Sequence, residues 1–352
     1  MSPRPEILHY VGYDDDRGGI ISVLRNLAAA GRFDGVLGLN PGAVQHRAPP
    51  LPVLELPRLA GEKISPTNFW RARGVARIVQ AWLRADARRA YHGHSRAGLL
   101  VGLWLHWFGE RRVVVSVHCY GRQRWFYRWA ARQLGPRLFW LSPAMKKYYG
   151  TGDGSWAQCI PEGVPPAVVT RSTPVEGRLR LGGIGALVRW KGWSTVIEAL
   201  ARLPEEQRAR VTLEHIGTGD EALRLELVRL AEQRGVASRV FFRGAEPTSA
   251  RLLGTIDVLV VAAVNEPFSL AMLEALAAGV PVLAADSGGA ADVISDGVNG
   301  WLYPTGNAAA LAGRLGAWLA RPPAWPVNQV CLTTIDIERV AVQWTEVYAA
   351  LA

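Results

Sequence analysis

The chain has 352 residues, of which 49% are hydrophobic, so it is too long for one ordinary core and able to bury two. Its formal net charge of +10 favours anionic partners, namely nucleic acid, a lipid headgroup surface or phosphorylated small molecules, although an arginine-rich composition also arises from genomic bias. Three scattered cysteines, Cys119, Cys159 and Cys331, exclude a zinc motif or a disulfide framework and predict a reducing compartment.

The first half of the chain alternates short apolar strands with helices. A strand at 7–10 leads through a polar loop at 12–19 into a helix at 20–30. The other predicted strands are 36–39, 53–56, 91–94, 113–117 and 138–142, and the other predicted helices are 70–85 and 124–134. This alternation predicts an α/β fold with a doubly wound parallel sheet.

A second region of the same kind follows a break at 161–178, which contains four prolines and little periodicity. Its predicted strands are 179–184, 211–216, 240–243, 258–261 and 280–284, its predicted helices are 193–202, 220–234, 248–254 and 269–278, and a last amphipathic helix covers 336–350. We therefore predict two Rossmann-like domains that face a cleft, where open α/β sheets bind ligands. The boundaries are 1–165 for the first domain, 166–178 for the linker, 179–325 for the second domain, and 336–352 for a helix that returns to the first.

The N-terminal segment is polar and lacks the apolar core of a signal peptide. The apolar stretch at 97–108 is too short to span a bilayer. We expect a cytoplasmic protein, with peripheral contact to the inner membrane surface as the open alternative.

The most informative segment is 265–282, which begins just after a predicted strand. Pro267 fixes an extended turn and Ser269 caps the helix, which Gly279 ends. The helix is predicted to bury Leu270, Leu273 and Leu276. Its first amide groups favour an anion such as a diphosphate.

Two glutamates frame this segment. Glu266 precedes the helix and Glu274 follows eight residues later, about 12 Å away if the path is helical. This spacing allows one carboxylate to meet a sugar and the other a ribose across a diphosphate. The alternative is that both are ordinary solvated charges.

At these residues the chain resembles the GT4 family of retaining glycosyltransferases, whose hallmark is a glutamate, seven intervening residues and a second glutamate. Ser269 stands where that family most often has glycine. The stretches 286–300, 185–192 and 216–219 continue the resemblance over nearly the whole C-terminal half. It implies the GT-B architecture.

The resemblance also implies roles for individual residues. Glu266 meets the hydroxyls of the transferred sugar, and Glu274 meets the ribose hydroxyls. Lys191 neutralises the diphosphate. The backbone holds the distal phosphate at Phe268, Ser269 and Leu270.

The resemblance implies further donor contacts at positions that match the family less closely. Ala186 replaces the family's usual arginine, and either Arg189 supplies that charge or it is solvated. Gly217 belongs to the matching 216–219 stretch, and Arg243 matches the family's base-binding edge, where the contact is mostly backbone.

The N-terminal half matches the family more weakly. Gly18 and Gly19 correspond to a glycine loop against the donor phosphates, with a simple tight turn as the alternative. His118 corresponds to a cleft histidine that bonds the sugar or the acceptor, with a structural role as the alternative. His92 and His94 follow another predicted strand, where they either pack or contact the acceptor.

Two other features have a structural interpretation beside the functional one. The acidic run Asp14, Asp15 and Asp16 looks superficially like a metal-binding motif of another glycosyltransferase fold, but we predict a solvated or acceptor-facing loop and no metal site. The arginine- and tryptophan-rich stretch 104–132 predicts either a membrane-surface patch or an amphipathic helix with core aromatics. No nucleic-acid-binding motif is present.

These expectations combine into one function. The chain is predicted to transfer a sugar from a nucleoside-diphosphate sugar to a glycan, lipid-linked or small-molecule acceptor, with retention and without metal or cofactor. Catalysis is assigned to His118, Glu266 and Lys191. The alternatives are a nucleotide-sugar epimerase, which needs its own acid–base residues, and a non-catalytic sugar-nucleotide-binding protein.

Overall fold

The computed structural model describes residues 4–15, 18–44, 51–59, 63–152, 158–166, 169–321 and 335–351. The chain forms two compact units. The N-terminal unit consists of Met1–Val164 with Thr334–Ala352, and the C-terminal unit consists of Pro165–Thr333. Asp16 and Cys331, which the sequence analysis named, lie outside the described residues.

The N-terminal unit is built on a seven-stranded sheet in which every pairing is parallel. Its strands are β1 (Glu6–Tyr10), β2 (Asp34–Leu39), β3 (Val53–Glu55), β4 (Arg89–Gly93), β5 (Val113–Val117), β6 (Leu138–Trp140) and β7 (Gln158–Cys159). The spatial order is β3-β2-β1-β4-β5-β6-β7, so the winding reverses between β1 and β4. All five residues of β5 are buried, as expected for a parallel strand with both faces covered.

In the described part of this unit, the helices that follow these strands are α1 (Gly19–Ala29), α2 (Pro66–Arg84), α3 (Arg96–Trp107), α4 (Arg124–Leu134) and α5 (Pro143–Tyr149). Serine hydroxyls cap three of them: Ser65 accepts from the Asn68 N–H, and Ser95 and Ser142 do the same at α3 and α5. Helix α3 was missed as a helix from the sequence because it is buried almost all round and shows no polar face.

The C-terminal unit holds a second parallel sheet of six strands in the order β10-β9-β8-β11-β12-β13. The strands are β8 (Leu179–Ile184), β9 (Val211–Ile216), β10 (Val240–Phe242), β11 (Val258–Val261), β12 (Val282–Asp286) and β13 (Gly300–Pro304). The winding reverses between β8 and β11. Strand β13 was not predicted from the sequence.

The helices of this unit are α6 (Trp193–Arg202), α7 (Glu205–Arg208), α8 (Glu221–Gln233), α9 (Ala250–Thr255), α10 (Leu270–Ala277), α11 (Ala290–Val293) and α12 (Ala308–Ala320). Helix α10 corrects one expectation. It buries Met272, Leu273 and Ala275, whereas Leu270 and Leu276 are only half-buried. The helical period of the apolar residues was predicted correctly, but the buried face of the helix is rotated away from Leu270 and Leu276 toward Met272.

The last helix, α13 (Ile337–Ala349), belongs to the N-terminal unit. The Asp336 carboxylate caps it at the Glu338 N–H, and Trp344 packs against His92 with ring centroids 4.3 Å apart. Two doubly wound parallel sheets confirm the predicted α/β fold class. Among the described residues, no helix is both long and apolar enough to cross a membrane.

Candidate functional site

The centre of the C-terminal sheet positions the first group of predicted site residues. Strands β8 and β11 are neighbours there, and the chain winds away from them toward opposite edges of the sheet. The loops that follow these strands, 185–192 and 262–269, therefore leave a crevice at their carboxyl ends. This is the position where open α/β sheets bind ligands.

Each of the two loops contributes one charged side chain to a close ion pair. Lys191 Nζ, after β8, lies 2.5 Å from Glu266 Oε2, after β11. The side chains are only 18% and 8% exposed. Lys191 Nζ also lies 4.6 Å from the centroid of the Trp190 ring, a cation–π contact. Because charges so removed from water need compensation, each side chain depends on the other for its stability.

The loop of Glu266 is fixed to the loop that follows β12. The Gly289 N–H donates to the Glu266 carbonyl at 3.0 Å. The Ser287 hydroxyl donates to the Ala263 carbonyl at 2.8 Å and accepts from the Glu266 N–H at 3.3 Å. The two sequence stretches 265–282 and 286–300 therefore meet in space. Ser287 was not singled out from the sequence, although it lies inside the second stretch.

Helix α10 begins directly beyond Glu266. The Ser269 hydroxyl caps it by accepting from the Met272 N–H at 3.4 Å, which confirms the predicted cap. Phe268 and Ser269 are buried, and Leu270 is half-buried. The first amides of a helix have no intrahelical acceptor, so the backbone at Phe268–Leu270 is suited to an anion.

Glu274 lies on α10, and its carboxyl group shares a hydrogen bond with the side chain of Ser249. Burial raises the pKa of Glu274 above its ordinary value, and the bond to Ser249 partly offsets that shift. A half-buried carboxylate with one hydroxyl partner retains capacity to accept from a ligand hydroxyl.

Two arginines named from the sequence have other partners. The Arg189 guanidinium is 75% exposed and makes paired bonds of 2.8 and 2.6 Å to Glu226 on α8, rather than joining the Lys191–Glu266 pair. Arg243 Nε lies 3.3 Å from Glu214, and its guanidinium covers the Phe241 ring.

Close backbone packing joins the loops around the Lys191–Glu266 pair. The Gly217 N–H donates to the Gly244 carbonyl at 2.7 Å, and a Cβ at Gly217 would stand 2.0 Å from the Gly185 oxygen. His215 Nε2 donates to the same Gly185 oxygen at 3.1 Å. Burial lowers the pKa of His215 to about 4, so it donates as a neutral imidazole. No sequence motif pointed to His215.

Gly192 offers a direct test of this packing. Its φ is +73°, and a Cβ there would stand 2.0 Å from the Ala262 carbonyl oxygen. We expect Gly192→Ala to lower the free energy of unfolding by about 3 kcal/mol, because backbone strain and a clash with a main-chain atom combine. Gly244→Ala is the matched control: its φ is +80° with open space around it, so only about 1 kcal/mol is expected. Urea unfolding measures both, and equal losses would contradict the clash.

In the N-terminal unit, Gly18 and Gly19 begin α1. Gly18 has a φ of +109°, which favours glycine, and a Cβ at either residue would meet no atom of the described residues within 4 Å. The backbone here is open to a ligand. In the same loop, Asp14 accepts from the Asn40 side chain and pairs with Arg58 at 3.2 Å.

The predicted histidines form a hydrogen-bonded chain. His118 Nδ1 lies 2.9 Å from the Glu162 carboxylate, and His118 Nε2 lies 3.1 Å from His94 Nδ1. His94 Nε2 in turn lies 3.0 Å from His9 Nδ1. A carboxylate accepts, so His118 donates from Nδ1 to Glu162, and the other two bonds join histidine nitrogens directly. The chain ends at His9 Nε2, which has no hydrogen-bond partner in the described part of the protein.

This arrangement uses both ring nitrogens of His118 within the protein, so in this conformation neither faces a ligand. Glu162 and His9 were both missed from the sequence. Burial lowers the pKa of His9 to about 3 and the pKa values of His92 and His94 well below their ordinary range.

The cluster also has some features of a metal centre. Nitrogens of His9, His92 and His94 lie within 4.8 Å of one another. However, the His92 and His94 rings are tilted by 34° to each other with centroids 3.8 Å apart, and the nitrogens of His92 bond to Ser116 and Tyr348 at 2.8 and 2.7 Å. A metal ion would have to displace these bonds, so the residues fit a hydrogen-bonded chain better.

Comparison with known proteins gives this geometry a family context. Residues 171–326, nearly all of the C-terminal unit, match the family model described as glycosyl transferases group 1. The C-terminal unit is therefore similar to group 1 glycosyl transferases over nearly its whole length. The loops carrying Lys191 and Glu266 both lie within the matched region.

Two curated relatives are among the similar proteins. An uncharacterized glycosyltransferase of Methanocaldococcus jannaschii is 37% identical over 34% of this chain and 31% of its own length. The lipopolysaccharide core biosynthesis glycosyltransferase LpsE of Rhizobium meliloti is 37% identical over 40% of this chain and 39% of its own length. The chain thus spans between 31% and 39% of the length of these relatives.

Solved structures show the fold of the whole chain. The Anabaena protein Alr3699/HepE, crystallised with UDP-glucose, superposes with a TM-score of 0.77 at 20% identity, over 98% of this chain and 100% of that one. Sucrose-phosphate synthase from Thermosynechococcus elongatus also gives 0.77 at 20% identity, over 99% of each chain. The predicted GT-B fold is confirmed.

Proposed function

We propose that this protein transfers a sugar from a nucleoside-diphosphate sugar to an acceptor hydroxyl. The observation that carries the proposal is the Lys191–Glu266 pair at the reversal point of the C-terminal sheet, beside the first turn of α10. The group 1 match of this unit supports it, as does the UDP-glucose complex of the similar Anabaena protein. UDP-glucose is accordingly the first donor to test.

Each residue has a distinct role in the proposed reaction. Positive charge develops at the anomeric carbon while the diphosphate leaves with negative charge. Lys191 and the amides at Phe268–Leu270 stabilise the leaving group. Glu266 accepts from the sugar hydroxyls, and Glu274 accepts from the ribose hydroxyls.

Donor binding must change the partner of Lys191. Its ammonium group bonds Glu266 when no diphosphate competes, and a diphosphate offers it a stronger anion. Glu266 is then released to accept from the sugar. The ion pair therefore keeps both side chains at the crevice until a donor replaces their mutual bond.

The finer features of the proposal follow the family resemblance. Transfer proceeds with retention, by attack on the same face as the departing phosphate, which takes the acceptor proton. No metal ion takes part, because Lys191 and helix amides supply the positive charge. The acceptor is a glycan, a lipid-linked sugar or a small molecule.

The direct test is incubation with UDP-, GDP- and ADP-sugars while free nucleotide and product sugar are followed, with and without excess EDTA. Release of nucleotide that depends on acceptor and persists in EDTA supports the proposal. An epimerised sugar nucleotide without release indicates an epimerase, and binding without any product indicates a non-catalytic protein. Loss in EDTA that manganese restores would overturn the metal-free mechanism.

Replacing Glu274 tests its ribose contact. We expect Glu274→Ala to weaken donor binding about tenfold or more, because a hydrogen bond to a charged group contributes about 1.5–3 kcal/mol. Calorimetry with the preferred nucleotide sugar measures the change. Glu232→Ala, an exposed glutamate on α8, is the control and should bind as the parent does. Parental affinity in Glu274→Ala would show that the residue does not contact the donor.

A further inference from the structure

A continuous aromatic face covers part of the N-terminal unit. It joins Trp70 of α2 to Trp104 and Trp107 at the end of α3, and these to Trp129 of α4, through ring centroids 5.5, 5.2 and 5.7 Å apart. Trp125 lies one turn before Trp129 on the same side of α4. Three separate helices thus contribute indole rings to one face.

Much of this face lies in solvent. Trp70 is 64% exposed, Trp125 is 69% exposed and Trp107 is 38% exposed. An amphipathic helix with core aromatics, the alternative predicted for residues 104–132, therefore accounts for Phe126 but not for the exposed rings of Trp107 and Trp125. A contiguous exposed aromatic surface marks an interaction site.

The charge of the same helices is one-sided. Helices α2, α3 and α4 contain eight arginines, four, one and three respectively, and no Asp or Glu. The Arg73 guanidinium lies 5.8 Å from the centroid of the Trp104 ring. Arg122 and Arg124 are exposed and come just before Trp125 in the sequence. Any partner of this face must therefore accept both indole rings and a dense positive charge.

An anionic bilayer surface meets both requirements. Indole rings prefer the headgroup region, where one part of the ring is apolar and the N–H is wet. Guanidinium groups pair with lipid phosphates through two parallel hydrogen bonds. We propose that the aromatic face docks this protein on an anionic lipid bilayer through Trp70 and Trp125, with Arg122 and Arg124 on the headgroups. The proposal does not rest on the proposed glycosyl transfer.

Cosedimentation with vesicles tests the docking. The parent should bind vesicles of equimolar phosphatidylcholine and phosphatidylglycerol at low salt, and bind them more weakly at high salt or when phosphatidylglycerol is omitted. The double variant Trp70→Ser/Trp125→Ser should lose at least tenfold in affinity. Trp190→Ser, an exposed tryptophan of the C-terminal unit, should bind vesicles as the parent does.

The charges are tested in the same assay. Arg122→Gln/Arg124→Gln should weaken binding at low salt by about fivefold for each charge removed, and should reduce its salt dependence. Absence of parental binding at low salt, or equal binding by the parent and the tryptophan double variant, would overturn the proposal. Circular dichroism confirms that the variants are folded. Nucleotide-sugar binding of the tryptophan variant, measured by thermal shift, should equal that of the parent, which separates this test from the proposed function.

Discussion

Replacing Lys191 with methionine is expected to lower the free energy of unfolding by about 3–5 kcal/mol and to weaken donor binding at least tenfold. The loss of stability follows because the Glu266 carboxylate, 8% exposed, loses the ammonium group that compensates its burial. The loss of affinity follows because Lys191 is proposed to bond the diphosphate. Urea unfolding and calorimetry measure the two effects separately.

A second substitution separates structure from function. In Lys191→Met/Glu266→Met both charges are gone, so stability should return to within about 1 kcal/mol of the parent. Donor binding should remain lost, because neither the cation nor the carboxylate is restored. Lys147→Met, an exposed lysine of α5, is the control and should change neither property. Recovery of donor affinity in the double variant would refute the assignment of both residues.

Acid is expected to destabilise the N-terminal unit steeply below pH 6.5. His9, His92 and His94 are held neutral in the folded protein, with the pKa of His9 near 3, whereas the ordinary pKa is 6.5. The unfolded chain therefore binds more protons in this range, so stability is complete above pH 6.5 and is lost as the pH falls toward 3. Each imidazole lowers the free energy of unfolding by about 1.4 kcal/mol for each pH unit of acidification, and the three together lower it by up to about 4 kcal/mol per pH unit.

The variant His9→Phe isolates one of these contributions. It replaces an imidazole beside Phe33 with a neutral ring of similar size, and it removes the unpartnered Nε2 atom. The slope of unfolding free energy against pH, from urea titrations between pH 7 and pH 4, should fall by about a third of the histidine contribution. Carboxylates and His215 affect parent and variant alike, so only the difference is interpreted. Identical slopes would mean that His9 is not kept neutral by burial.

The sequence predicted the fold class because local signals agreed with the final structure. Strand–helix alternation defined both sheets, and the Ser269 cap and the Gly279 stop defined α10. It did not predict α3, since a helix buried on nearly all sides has no amphipathic period, or the rotation of the buried stripe on α10.

Contacts between distant residues explain what the sequence left open in the site. Lys191 and Glu266 were each named, but their ion pair spans 75 residues and depends on the two loops meeting. The places of Glu162 and His9 in the histidine chain were not predicted, because no residue near them in sequence points to His118 or His94. The ion pair between Arg189 and Glu226 likewise depends on the position of α8.

The position of α13 has a consequence for biosynthesis. Its Trp344 packs on His92 and Phe139, and its Tyr348 hydroxyl bonds His92, so it completes a core whose strands all lie in the first 159 residues. On the ribosome, the N-terminal unit has its whole sheet available long before the helix that covers this part of it. The C-terminal unit is continuous in sequence and can close its own core earlier. Nascent chains should therefore acquire the protease resistance of the second unit before that of the first, reversing the usual N-to-C order of domain folding.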